Sequence, residues 1–324
     1  MRNALFAAAL LVMIVPSHAE SAAASVATYE SIQDLEGYKP LAFQPWSPDG
    51  RLLALIGKRG ELYVWDVTQP ERPPRMLAPK ANELARWSPD GGWLLFEGYD
   101  RNVAIRQIAV RISDAHADTL LLPKVWPVWW ASDGNIYGWA GEQPLRHRVV
   151  IDPPKLWLSE HWAPHPDKAV LFSDFGFLPG PKPQEWGLAV MREPGVQYVL
   201  LRNAFPGDSL YLAQEGGSHP MWVKNCVLNL RGNVVRELGR SDGVDWTSVS
   251  ADGKYLLGEV ELDTPGDAEH SVLYVGDSRG ESSTRLDHAP EGVSPHWAPH
   301  GYLFCARDLV AGVVHVGRIR FEPR

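Results

Sequence analysis

Two near-identical pentapeptides hold much of the chemical capacity of this sequence. His161-Trp162-Ala163-Pro164-His165 and His296-Trp297-Ala298-Pro299-His300 each space two imidazoles four residues apart, the interval at which a helix presents a pair of zinc ligands. Proline at the fourth position removes an amide donor and clashes with the preceding turn, so a chain turn is expected there instead of a helix. A further motif, Gly276-Asp277-Ser278-Arg279-Gly280, matches the G-x-S-x-G pattern of serine hydrolases, which has meaning only at a strand-to-helix elbow. Here an apolar strand at 272–275 precedes it and another at 282–286 follows, so it reads as a hairpin turn. The acidic excursion 262–270, with Asp263, Asp267 and Glu269, lacks the regular ligand spacing of a calcium loop.

Composition narrows the field. The 324 residues are 45% hydrophobic and 22% charged, enough to bury one large domain or two smaller ones and too apolar for a disordered tail. A net charge of −8 opposes phosphate backbones and anionic membranes, and no P-loop, dinucleotide motif, paired C-x-x-C or basic aromatic stripe occurs. Nucleic acid is therefore not an expected partner. Fourteen Trp, 29 Gly and 27 Pro predict many turns and wide aromatic burial.

A basic start at Met1-Arg2-Asn3, an apolar run over 4–15 and the small-x-small site Ser17-His18-Ala19 predict a signal peptide over 1–19, cleaved before Glu20. The apolar run is too short to span a bilayer, and no later segment is apolar enough, so no integral membrane segment is expected. Export places Cys226 and Cys305 in an oxidising compartment, where a disulfide needs their Cα atoms within about 7 Å. They fall in units that are not neighbours, which predicts two buried free thiols.

Those units come from an internal repeat. Trp46-Ser47-Pro48-Asp49-Gly50 precedes the apolar run 52–56, and Trp87-Ser88-Pro89-Asp90-Gly91 precedes 93–96. Serine at the first turn position, proline at the second, aspartate at the third and glycine at the fourth suit a tight turn feeding a buried strand. Weaker copies centre on Asp133, His165, Asp208, Asp252 and His300. With Asp49 and Asp90 the steps are 41, 43, 32, 43, 44 and 48 residues, close to the 40 to 45 of four-stranded propeller blades. The step of 32 implies a shortened outer hairpin after Arg148. Further short strands are expected at 62–67, 104–110, 147–151, 188–191, 227–230, 272–275 and 313–319. The fold class is thus all-β, a seven-bladed β-propeller over residues 20–324, with six blades as the alternative. A strand over 26–32 is expected to complete the last blade and close the ring, which would make truncation at the termini costly.

The turn-plus-strand unit resembles the PD40 repeat of TolB-like propellers, matching in full at 46–50 and 87–91. The resemblance implies a non-enzymatic protein in the cell envelope, periplasmic or secreted, that binds a protein or peptide partner and needs no cofactor. Some propeller lyases of the same repeat family hold a metal with channel histidines, which implies the alternative of a metal-assisted lyase or hydrolase of an acidic carbohydrate using His161 and His296. A shared zinc would need two imidazole nitrogens within roughly 4 Å, whereas these two units lie across the ring.

In the repeat register Arg86, Trp129, His161 and His296 stand just before the turn, where each innermost strand meets the channel mouth; Glu160 and Asn203 fall one position further back. These six are the expected binding residues. Trp126, Trp129, Trp130 and Trp139 could stack on a ligand or pack between blades. Excursions 175–183 and 262–270 could carry recognition.

Overall fold

The computed structural model describes residues 26–41, 44–81, 85–99, 105–112, 119–121, 126–130, 135–139, 145–146, 149–152, 155–158, 163–164, 198–205, 210–218, 221–229, 234–238, 243–262 and 270–322. Among them every regular element is a β-strand. Strand β1 (Val26–Glu36) comes first. A four-stranded antiparallel meander follows from β2 (Tyr38–Pro40), β3 (Leu52–Gly57), β4 (Leu62–Asp66) and β5 (Arg75–Ala78). The second comprises β6 (Arg86–Trp87), β7 (Trp93–Tyr99), β8 (Ile105–Arg111) and β9 (Thr119–Leu121). Next come β10 (Trp126–Trp130), β11 (Asn135–Trp139), β12 (Leu145–Arg146), β13 (Val149–Asp152), β14 (Lys155–Leu158) and β15 (Ala163–Pro164). There β12 pairs with β15, while β10, β11, β13 and β14 form the sheet.

Two more meanders are β16 (Tyr198–Ala204), β17 (Leu210–Ser218), β18 (Met221–Asn229), β19 (Val234–Glu237), and β20 (Asp245–Val249), β21 (Tyr255–Leu262), β22 (His270–Asp277), β23 (Ser283–Arg285). The last sheet joins β24 (Val293–Trp297), β25 (Leu303–Asp308) and β26 (Val313–Glu322) to β1, which runs along β26 from Val26↔Glu322 to Glu36↔Val313. Tyr29 anchors that pairing: its ring lies over Gly317, where an added Cβ would stand 2.2 Å from it. The strand is longer than the 26–32 expected, because pairing continues past a bulge between Ser31 and Gln33.

Strands expected at 62–67, 104–110, 147–151, 227–230, 272–275 and 313–319 correspond to β4, β8, β13, β18, β22 and β26; the one at 188–191 lies outside the described residues. The outer hairpin of β13 and β14 is short, pairing from Asp152↔Lys155 to Val149↔Leu158. Gly276 to Gly280 is a hairpin turn between β22 and β23, with Gly280 N donating to Asp277 O at 2.9 Å and no helix after it.

Where side chains are described, neighbouring sheets pack face to face, which is why their central strands are apolar on both sides. Along β3 the period of two sends Ala54 and Ile56 toward Trp87, Leu94 and Phe96 of the next sheet. Leu53 and Leu55 point the other way, into Cys305, Val314 and Val316 of the last sheet. The last sheet in turn buries Phe304 and Ala306 against Leu257, Leu273 and Val275. Cys226 and Cys305 are buried free thiols. Among the described residues no helix is long and apolar enough to cross a membrane.

Candidate functional site

The repeat turn is a small hydrogen-bonded device that fixes where each innermost strand ends. In the first copy Ser47 Oγ donates to Asp49 Oδ1 at 2.5 Å and accepts from Leu52 N at 2.9 Å, while the same carboxylate oxygen accepts from Arg51 N at 3.1 Å. Ser88 with Asp90 and Ser250 with Asp252 repeat the pattern. Gly50, Gly91 and Gly253 take φ of 67°, 71° and 70°, which explains glycine at the fourth position. Burial raises the carboxyl pKa of Asp49 and Asp252, but hydrogen bonds from serine and from backbone amides outweigh it, so both lie below the usual carboxylate value.

Just before each turn the backbone register lines up one residue per sheet. Trp46↔Leu53, Trp87↔Leu94, Trp130↔Ile136, Val249↔Leu256 and Trp297↔Phe304 mark one rung. The rung before holds Arg86↔Leu95, Trp129↔Tyr137, Ser248↔Leu257 and His296↔Cys305. Asn203↔Leu212 belongs to that rung as well. Sequence alignment set Asn203 one residue further back by matching Asp208 to the turn aspartates. The backbone corrects this, since Phe205 N donates to Leu210 O as Ser47 N does to Leu52 O, so Phe205 and not Pro206 occupies the serine position. Glu160 and His161 lie outside the described residues, as do 165–197 and 263–269, so the two pentapeptides are not compared in space.

A register shift immediately precedes this rung on four strands, between Pro127 and Trp129, Leu201 and Asn203, Trp246 and Ser248, and Val293 and His296. Such bulges re-aim the side chains beside them. Where side chains on the rung are described, they are buried and tie sheets together. Ser248 Oγ accepts from Trp297 N at 3.0 Å, and the neighbouring Thr247 hydroxyl donates to Pro295 O at 2.7 Å. His296, 7% exposed, offers its carbonyl to Trp46 Nε1 at 3.1 Å. Trp87 Nε1 makes the matching bond to Pro45 O at 3.4 Å, one residue before Trp46. Burial pushes the Cys305 thiol pKa up, leaving it protonated and unreactive.

The opposite ends of the same strands enclose a cavity of about 390 Å³ between the first and last sheets. Strand β3 runs from the turn to Gly57 and β25 from the turn to Arg307 and Asp308, so the cavity sits away from the turns. Tyr38, Lys39, Ile56 and Lys58 line one side and Arg307 the other, with bare backbone at Gly37, Gly60 and Gly312. Tyr38 stacks edge-on against Tyr63 at 5.1 Å. Sequence reading missed this site because its basic groups belong to no motif and come from opposite ends of the chain. Beside it His315 Nδ1 lies 2.7 Å from Asp34 on β1, with Nε2 3.8 Å from Asp308. Among the described residues no group of three His, Cys, Asp or Glu side chains is placed to hold a metal ion.

The meander sheets stacked face to face have the connectivity of β-propeller blades. No protein-family model and no curated protein sequence matches the chain. Among solved structures it is similar to an oligogalacturonate lyase from Vibrio parahaemolyticus, at 12% identity over 91% of this chain and 97% of that one, with a TM-score of 0.52. It is also similar to the Swd1 β-propeller domain of Myceliophteria thermophila, at 13% identity over 89% and 99% with a TM-score of 0.45. A structure assigned to TolB of Agrobacterium tumefaciens shares 16% identity over 93% and 99%, again with a TM-score of 0.45.

Proposed function

We propose that this chain is an exported, seven-bladed β-propeller closed by β1, and that it binds a protein or peptide partner in the cell envelope. Closure is supported by the packing of the last sheet on the first, where the Trp46 to His296 bond repeats the Trp87 to Pro45 bond between adjacent sheets. Residues 159–197 carry the fourth motif copy and are about long enough for one more unit. Export is supported by the leader-like sequence over 1–19.

The observation that carries binding is the cavity at the junction of the first and last sheets. Its wall combines phenol, aliphatic and cationic groups, which hold and orient a ligand, on a rigid scaffold whose connections approach it from both chain ends. A photo-reactive amino acid at Lys58, on the cavity rim, tests this against envelope extract, with the same group at Arg72 as the reference position. The expected result is a discrete adduct from position 58 alone. Identical adducts from both positions, or turnover of an envelope polymer by the purified protein, would overturn the reading. Amino-terminal sequencing of the exported protein is expected to begin at Glu20.

A further inference from the structure

We infer that the cavity between the first and last sheets is a carboxylate site, and that the carboxylate it takes is presented by an acidic peptide segment. This rests on the partner-binding reading above and specifies its chemistry. The argument starts at Arg307. Along β25 the period of two puts Arg307 on the same face as Leu303 and Cys305, the face that packs against the first sheet. Its stem is thereby drawn into the junction. Arg307 Nε is buried, and among the described residues it has no hydrogen-bond partner. An Nε–H held this way loses hydration without gaining an acceptor, a cost that an incoming anion would remove.

Lys39 and Lys58 line the same cavity, so three cations gather in about 390 Å³ on a protein whose net charge is −8. Two carboxylates in or beside these strands take backbone donors. Glu61 Oε2 accepts from Arg59 N at 3.0 Å, and Asp308 Oδ1 accepts from Ala311 N at 2.7 Å. An arginine fork matches the planar geometry of a carboxylate, with two parallel bonds available. Tyr38 and Ile56 supply an apolar wall for the body that bears it, and the volume falls within the range of small-ligand sites. The rim favours a peptide as the source. At Gly312 nothing lies within 4 Å of where a side chain would begin, so a chain can lie close against the backbone there.

The test uses the mature protein with an N-acetylated, C-amidated pentaglutamate and with succinate, followed by calorimetry at low and high salt. The peptide is expected to bind, more weakly at high salt, and Arg307→Met is expected to weaken it by about 10-fold or more, the scale of a hydrogen bond to a charged group. Arg279→Met, on the distant hairpin, removes the same charge and is expected to leave binding unchanged. Equal loss in both variants, or none in Arg307→Met, would overturn the site. Succinate binding as tightly as the peptide would overturn the peptide source. If Arg307→Met melts early, Arg307→Lys is read in its place, with affinity expected below the native protein because the fork is gone. Repeating the position-58 cross-link in Arg307→Met separates the two readings. An adduct that persists after peptide affinity is lost sinks this inference and leaves partner binding standing; a peptide that binds while the extract yields no adduct does the reverse.

Discussion

The turn at 47–50 in the first sheet and the turn at 298–301 in the last share a backbone and differ in chemistry. In both, the amide of the first residue donates to the carbonyl five residues on, Ser47 to Leu52 at 2.8 Å and Ala298 to Leu303 at 2.7 Å, and the glycine has φ near 70°. The first turn holds itself with Ser47 and Asp49. The last has Ala298 and His300 at those positions, and it is braced from outside: Tyr302 donates its hydroxyl to Asp252 Oδ2 of the neighbouring turn at 2.8 Å. The ring of Tyr302 also meets Tyr255, Trp297 and Phe321. Tyr302 itself stands at φ 54°, in the left-handed region that a bulky residue rarely adopts. A repeat can therefore lose its local hydrogen bonds where neighbouring sheets supply others.

The largest effect is expected where the two turns meet. Trp46→Ala removes a buried indole and its bond to the last sheet, and chemical denaturation should show a loss of about 3–5 kcal/mol. Ser47→Ala is next, at about 1–2 kcal/mol, since it leaves the Leu52 amide without its acceptor and removes one of the donors to Asp49. Tyr302→Phe should cost about 1 kcal/mol, and an unchanged stability would show that ring packing, and not the hydroxyl, braces the last turn.

The two turns should also respond to opposite ends of the pH scale. Burial first, then the hydrogen bond to Asp252 and its charge, raises the Tyr302 pKa from 10.0 to about 12. The folded state thus favours the protonated phenol, so its contribution is intact below pH 10 and is lost between 10 and about 12. Asp49 has a lowered value, so its contribution is present above 3.8 and is lost as pH falls below that. Melting temperature against pH should show a flatter alkaline limb in Tyr302→Phe and a flatter acid limb in Asp49→Asn. The smallest effect is a gain: Ala298→Ser with His300→Asp should install the first turn's network in the last, adding up to about 1 kcal/mol. No gain would mean that the φ of Tyr302 already commits the turn to its external brace.

Much of this fold was legible because its signals are local. Trp, Ser, Pro, Asp and Gly at 46–50 and 87–91 dictate a turn by their own dihedral preferences and side-chain reach, and the apolar runs behind them alternate at the period of a strand. The misplacement of Asn203 shows where such reading stops. Asp208 resembles a turn aspartate by type, yet the backbone bond of Phe205 sets the register, and a bond between main-chain atoms leaves no mark in side-chain identity. His296 was found by its resemblance to His161, but its burial under Trp46 was not visible.

By itself, then, the order of residues determined the repeating turn and strand, the all-β class and the leader-like start, each of which depends on neighbours a few positions apart. Only the tertiary structure decided which sheet faces which, that Trp46 reaches a carbonyl 250 positions away, and that Lys39, Lys58 and Arg307 share one cavity. The physical reason is that a strand's two faces are both apolar and equally able to stick. Their partners are chosen by the packing of whole sheets, and groups from opposite ends of the chain meet only once that packing is complete.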